Sequence, residues 1–157
     1  MSLLSQVSNT VNVEPPIITI YGKSGSRKTQ FGIDMPKPIF ALFENGLGNR
    51  TVDFLDMKTV KDIHPYEAFK GLIKDLATEP HDYKTLVLDS ADHLTPYIDD
   101  FICKRDGKSS IEAYGYGKGY DAQASEWLLV MNRLIKLRAM RKMNILIISH
   151  AGERLVS

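Results

Sequence analysis

A single cysteine, Cys103, rules out an internal disulfide and suits a reducing compartment. Its neighbours Phe101 and Ile102 mark it as a small buried apolar residue rather than a reactive thiol. The four histidines, His64, His81, His93 and His150, show neither H-x-x-x-H spacing nor accompanying cysteine pairs, which argues against a zinc site. No strong charge of one sign is present. A formal charge of +1 gives no global reason to bind nucleic acid, so any such contact must rest on a local patch. Long apolar runs are missing, and so is a basic segment followed by an apolar core at the start, which predicts a cytoplasmic protein with no membrane partner. No internal repeat is visible, and 157 residues suffice for one domain with a sizeable core.

What is present is organised around GKSGSRKT, Gly22 to Thr29. A phosphate-binding loop of the Walker A form needs a Gly, four residues and then Gly-Lys-Ser/Thr. Backbone N–H groups wrap the phosphates, the lysine reaches them, and the hydroxyl reaches Mg²⁺. Gly22, Gly25, Lys28 and Thr29 stand in that register, and Arg27 replaces the glycine that ordinarily precedes the lysine. A side chain at that position fits only if it points away from the nucleotide. The flanks support the loop: Ile17 to Tyr21 (IITIY) reads as a buried parallel strand and Thr29 to Asp34 as the start of a helix. The nucleotide-binding set is Gly22, Lys23, Ser24, Gly25, Ser26, Arg27, Lys28, Thr29 and Gln30, with ATP and Mg²⁺ as the expected cofactors.

Residues 1–15 are polar and aperiodic and end at Pro15-Pro16, so they read as a flexible lead-in to a domain covering 16–157. Further buried strands are predicted at Ile39 to Phe43 (IFALF), Thr85 to Leu88 (TLVL) and Ile145 to Ile148 (ILII). Between the first of these and Ile63 the pattern is mixed, and no regular element is assigned. Pro65 opens an amphipathic helix through Ala68, Phe69, Leu72, Ile73 and Leu76, and Ala91 to Arg105 repeats the spacing with Leu94, Tyr97, Ile98, Phe101 and Ile102. Gly107 to Tyr120 reads as a mobile loop rich in glycine, tyrosine and lysine. Asp121 then caps a long helix whose apolar face runs through Ala124, Trp127, Leu128, Met131, Leu134 and Ile135. Strands alternating with helices predict an α/β protein with a parallel sheet covered on both faces.

ATP hydrolysis needs a metal carboxylate, a base for water and a group that senses the γ-phosphate, and each has a candidate just after a strand, where such sheets bind ligands. Asp89 is the metal carboxylate beside the hydroxyl of Thr29. Glu44 is the general base, and His150 the γ-phosphate sensor. Taken alone, each has a plainer reading: Asp89 as a helix cap, Glu44 as a solvated loop residue and His150 as a structural hydrogen-bonder. Small-molecule kinases share the phosphate loop, but no paired arginine lid is visible.

The order of IITIYGKSGSRKT, IFALFENGL, TLVLDSADHL, YGKGYDAQASEWLLVMNRLIKL and NILIISHAG resembles the RecA-like ATPase core, in particular the phage-encoded RecA-like ATPases of single-strand annealing recombination. The resemblance implies a P-loop NTPase three-layer sandwich with a mainly parallel sheet, truncated after its fourth core strand and leaving the Ile17 to Tyr21 strand with an open edge. It makes Lys28, Glu44 and His150 the catalytic set, with Thr29 and Asp89 on the metal. It also implies single-stranded DNA as a partner, through the Gly107 to Gly119 segment and the stretch after His150. Lys108, Tyr116 and Lys118 are the expected DNA contacts, because lysines neutralise phosphates and tyrosines stack on bases. A homo-oligomer with nucleotide near the subunit interface, and a single-strand binding protein, are the further partners implied. A DnaB-like helicase motor and a non-catalytic nucleotide-sensing module disabled by Arg27 are the alternatives.

Overall fold

A computed structural model describes residues 2–11, 13–23 and 27–150. Five strands, β1 (Ile17–Gly22), β2 (Pro38–Leu42), β3 (Asp53–Asp56), β4 (Thr85–Asp89) and β5 (Asn144–His150), form one sheet in the order β1-β5-β4-β2-β3. All four pairings are parallel. The helices are α1 (Lys28–Ile33), α2 (Pro65–Thr78), α3 (Ala91–Asp106) and α4 (Lys118–Arg141). The strands expected at 17–21, 39–43, 85–88 and 145–148 are all present. β3 is an addition, lying in the stretch to which the sequence assigns no regular element, and it pairs with β2 at the sheet's far edge.

The period-2 geometry of a strand divides the apolar residues between two faces. Ala41, Phe43, Leu86, Leu88, Ile145 and Ile147 meet Phe69, Ile73, Leu76, Ile98, Leu134 and Leu137 of α2, α3 and α4 in the main core. On the other face Phe40, Leu42, Val87, Leu146 and Ile148 pack with Leu47 and with Ile33 of α1. That face is the thinner one, covered by one short helix and a loop. α1 lies hard against it, since a Cβ on Gly32 would stand 2.9 Å from the Phe40 ring and 3.1 Å from Val87. The helix carrying Lys28 and Thr29 is thereby fixed to the centre of the sheet. β1 pairs only with β5 among the described residues, and Tyr21 on it is exposed. Among the described residues the other side of this strand is unpaired, the open edge expected for it.

Three expectations are revised. α4 begins at Lys118 behind a left-handed Gly117, so Asp121 sits in its first turn and does not cap it. Its buried stripe is Gly119, Glu126, Val130, Leu134 and Leu137, which leaves Leu128 and Ile135 exposed instead of in the core. The segment from Gly107 to Tyr120 is also anchored: Ile111 is buried, Glu112–Tyr114 form a 3₁₀ turn, and the Tyr114 hydroxyl donates to Ile102 O (3.0 Å) and Asp106 Oδ2 (2.6 Å). Cys103 is buried as expected, and burial pushes its thiol up.

Glu126 takes a core position because it has a partner there. The Tyr66 hydroxyl donates to its Oε1 at 2.6 Å, and Arg105 approaches Oε2 at 3.4 Å. Burial, and then the hydrogen bond to Glu126, holds the Tyr66 hydroxyl above its ordinary range, so it remains a donor. Tyr66→Phe removes that donor and leaves a buried carboxylate short of a partner. The expected loss is about 1–3 kcal/mol of unfolding free energy, measured by urea denaturation. Stability equal to that of the wild type would mean that the buried carboxylate does not depend on Tyr66.

Candidate nucleotide site

Because every strand runs the same way, β1, β2, β4 and β5 all deliver their C-terminal ends to one edge of the sheet. Gly22 stands opposite His150, Leu42 opposite Asp89, and Asp89 opposite Ile148. The predicted chemistry collects there. Of the phosphate loop, Ser24, Gly25 and Ser26 lie outside the described residues. Arg27 has φ 63° and ψ 26°, the left-handed conformation that glycine adopts at least cost, and it is exposed. Lys28 is buried and donates from Nζ to the carbonyl oxygens of Gly22 (2.9 Å) and Lys23 (2.6 Å), at the end of β1. Lys23 is exposed, and Gln30 is engaged with Asp34 just past its own helix at 3.0 Å.

Thr29 Oγ1 donates to Asp89 Oδ2 at 3.1 Å, joining α1 to the end of β4. Asp89 is fully buried, and its Oδ1 has no hydrogen-bond partner among the described residues. An unpartnered buried carboxylate oxygen is costly unless something else satisfies it. Gly46 lies beside the pair, since a Cβ there would stand at contact distance, 3.8 Å, from both Asp89 Oδ2 and Thr29 Oγ1. Hydroxyl and carboxylate oxygens are the donors that Mg²⁺ takes, so these residues fit that ion. Burial first, and then the hydrogen bond and charge of Glu44, pushes the Asp89 carboxyl up to about 6.

Glu44, two residues beyond β2, has the opposite balance. Burial pushes its carboxyl up, but the hydrogen bonds with His150 and Asp89 and the charges of His93 and His150 outweigh it and hold the group below its usual range. Of the two neighbouring carboxyls, Asp89 therefore keeps a proton longer while Glu44 is ionised. His150 Nε2 lies 2.7 Å from Glu44 Oε1, and the end of β5 that carries this ring is pinned by Asp92, which accepts from the His150 amide and the Ser149 hydroxyl. Glu44, Asp89 and His150, predicted separately from three strand ends, thus form one cluster. His93 joins them unpredicted. It sits in the first turn of α3, three residues after Ser90, and a helical i, i+3 step from the residue that follows β4 is the sequence signal that points to it.

The expected DNA contacts lie elsewhere. Lys108, Tyr116 and Lys118 are exposed, Tyr116 fully so, along the anchored segment between α3 and α4. Lys108 Nζ stands 5.6 Å from the centre of the Tyr114 ring. The second expected DNA segment, after His150, falls outside the described residues. No helix among the described residues is long and apolar enough to cross a membrane.

A family model described as an AAA domain matches residues 14–157, nearly the whole chain. The SPbeta prophage-derived uncharacterized protein YorG of Bacillus subtilis (strain 168) is 27% identical over 146 residues, which covers 90% of this chain and 42% of that protein. The chain thus spans about two-fifths of the length of that relative.

The Asp89 carboxyl gives the site a pH signature. Its pKa in the folded state lies above the ordinary value of 3.8, so the native protein keeps a proton that the unfolded chain releases between about pH 4 and 6. Stability contributed by this group therefore falls as pH rises through that window. Asp89→Asn keeps the shape and removes the charge, so it should raise the melting temperature of the nucleotide-free protein at pH 7.5, and the gain should shrink as pH is lowered from 6 to 4. A gain that stayed constant across this range, followed by calorimetry, would show that the proton sits on another group.

Proposed function

Because the chain belongs to the AAA domain family, we propose that it binds ATP with Mg²⁺, hydrolyses it, and couples that cycle to single-stranded DNA during phage recombination. The reading rests above all on the Thr29–Asp89 hydrogen bond, beside buried Lys28 and one strand away from ionised Glu44. Lys28 exchanges the two loop carbonyls for the β- and γ-phosphates, and Thr29 and Asp89 hold the ion. Mg²⁺, when bound, neutralises charge on the phosphates. Glu44 accepts a proton from the attacking water at a carboxylate oxygen as the water's oxygen bonds to the γ-phosphorus and the bond to the ADP oxygen breaks. In this reading His150 leaves Glu44 to meet the γ-phosphate, supported by its position on the rung beside Gly22. The phage setting draws on the prophage origin of the relative, and the host cytoplasm is the corresponding location.

Lys108, Tyr116 and Lys118 supply the DNA contact, with two cations for phosphates and a fully exposed ring for stacking. A homo-oligomer places the nucleotide near a subunit boundary, with exposed Arg27 and the open edge of β1 available to the neighbour. A single-strand binding protein is a further partner in such a role. One observation favours a second reading, a nucleotide-sensing module without turnover. Arg27 holds a left-handed conformation that would suit a glycine, as a phosphate loop that had lost its catalytic function would.

ATP turnover measured with and without single-stranded DNA separates the two. Glu44→Gln should keep ATP binding within a few-fold and lose at least about 100-fold in turnover, since the amide retains the shape and cannot take the proton. Loss of binding in step with turnover would assign Glu44 a structural role. Replacing Lys108, Tyr116 and Lys118 together by Ala should weaken single-strand binding and flatten the plot of log K against log salt by about 0.7 for each lysine removed. An unchanged binding curve would make the segment a plain connection.

A further inference from the structure

We propose that His93 is a positioning residue for Glu44, holding the base toward water when His150 turns to the γ-phosphate. The inference rests on the hydrolytic reading above. Glu44 is gripped on both oxygens: His150 Nε2 lies 2.7 Å from Oε1, and His93 Nδ1 lies 3.3 Å from Oε2. The two rings come from different elements, β5 and α3, and stand nearly perpendicular with centroids 5.8 Å apart. Ser90 fixes the second ring, its Oγ lying 2.7 Å from the same His93 Nδ1. A nitrogen lone pair aimed at a carboxylate would be repelled, so with its proton on Nδ1 the ring donates to Ser90 Oγ and turns the same N–H side to Glu44 Oε2, an electrostatic contact. Ser90 follows Asp89 directly, so the end of β4 aligns both the metal carboxylate and the ring that steers the base.

This arrangement matters because one ring cannot serve two ends. If His150 moves to the γ-phosphate, Glu44 loses its shortest contact at the moment when its direction counts. His93 then remains, anchored through Ser90 to a fully buried strand end. Glu44 and His93 both line an open groove of about 700 Å³ that gives water access to the carboxylate. The same donor atoms, within 4.8 Å of one another, suggest a metal ion at first sight. A metal-bound imidazole uses its other nitrogen to donate to a partner, and His150 Nδ1 is buried with none among the described residues. Positioning is the reading that the hydrogen bonds favour.

The test is a double-mutant cycle on ATP turnover in the presence of single-stranded DNA. His93→Ala should lower kcat about 10- to 100-fold with KM for ATP changed less than about threefold, because direction and not binding is lost. His93→Asn, whose side-chain NH₂ can stand where Nδ1–H does, should recover much of the rate. In a Glu44→Gln background His93→Ala should cost nothing more, a coupling that a purely structural role does not produce. His93→Phe, which keeps the ring and removes the nitrogens, stands in if the alanine variant fails to fold. Wild-type kcat in His93→Ala or His93→Phe, alongside an inactive Glu44→Gln, overturns the proposal while leaving the base reading intact. Losses that add in the cycle and fall on KM overturn it as well. An active Glu44→Gln overturns both readings.

Discussion

Uniform strand direction is the constraint on which everything else here depends. A parallel sheet sends every strand's C-terminal end to the same edge, and the residue after each strand then has no choice but to join a common rim. Glycine, glutamate, aspartate and histidine stand far apart in sequence at Gly22, Glu44, Asp89 and His150. The sheet order brings them together without any loop having to reach. The interior strands β2, β4 and β5 are nearly continuous apolar runs because both of their faces are covered, so no polar residue could sit earlier in them without a partner. Polar chemistry is confined to the ends.

Within that rim, burial and charge are divided between two carboxyls. Asp89 lies at the centre, between β2 and β5, where water cannot reach it, and holds its proton to about pH 6. Glu44, two residues beyond β2 and between two imidazoles, is ionised well below that. Such a pair suits a site in which one group waits for a cation and the other for a proton. Asp89 Oδ1, without a hydrogen-bond partner among the described residues, and Glu44, held between two imidazoles, are two sides of this division.

The frame is legible in the sequence wherever local pattern and tertiary role agree. Three buried strands, the half-exposed edge strand β1 and the helices α2 and α3 announce themselves by apolar runs or 3.6-residue spacing. β3 does not, because Asp53, Phe54 and Leu55 are exposed at the sheet's edge and pairing with β2, not burial, makes them a strand. Apolar spacing misassigns the face of α4 for a related reason: Glu126 is polar by identity and buried because of Tyr66, which lies far away in the chain. Tyr114 holds a glycine-rich segment that composition alone describes as loose. Asp89, Glu44 and His150 are legible because each ends a buried strand or stands just beyond one. His93 lies a turn into a helix, out of reach of that rule.

Arg27 is where the local rule and the fold disagree most openly. A left-handed conformation costs an ordinary residue roughly 1–2 kcal/mol relative to its preferred backbone, and a glycine would remove most of that cost. The strain is small beside the interactions that fix its neighbours. Lys28 is buried with two carbonyl bonds, Thr29 is tied to Asp89, and Gly32 locks α1 against Phe40 and Val87. These contacts fix the backbone on the C-terminal side of position 27, and the side chain there is exposed. The arginine therefore leaves the contacts on its C-terminal side intact: Lys28 keeps both carbonyls and Thr29 keeps Asp89. What the substitution adds is a guanidinium at the lip of the phosphate loop, a cation held on the exposed side of the site by backbone geometry that the rest of the fold imposes.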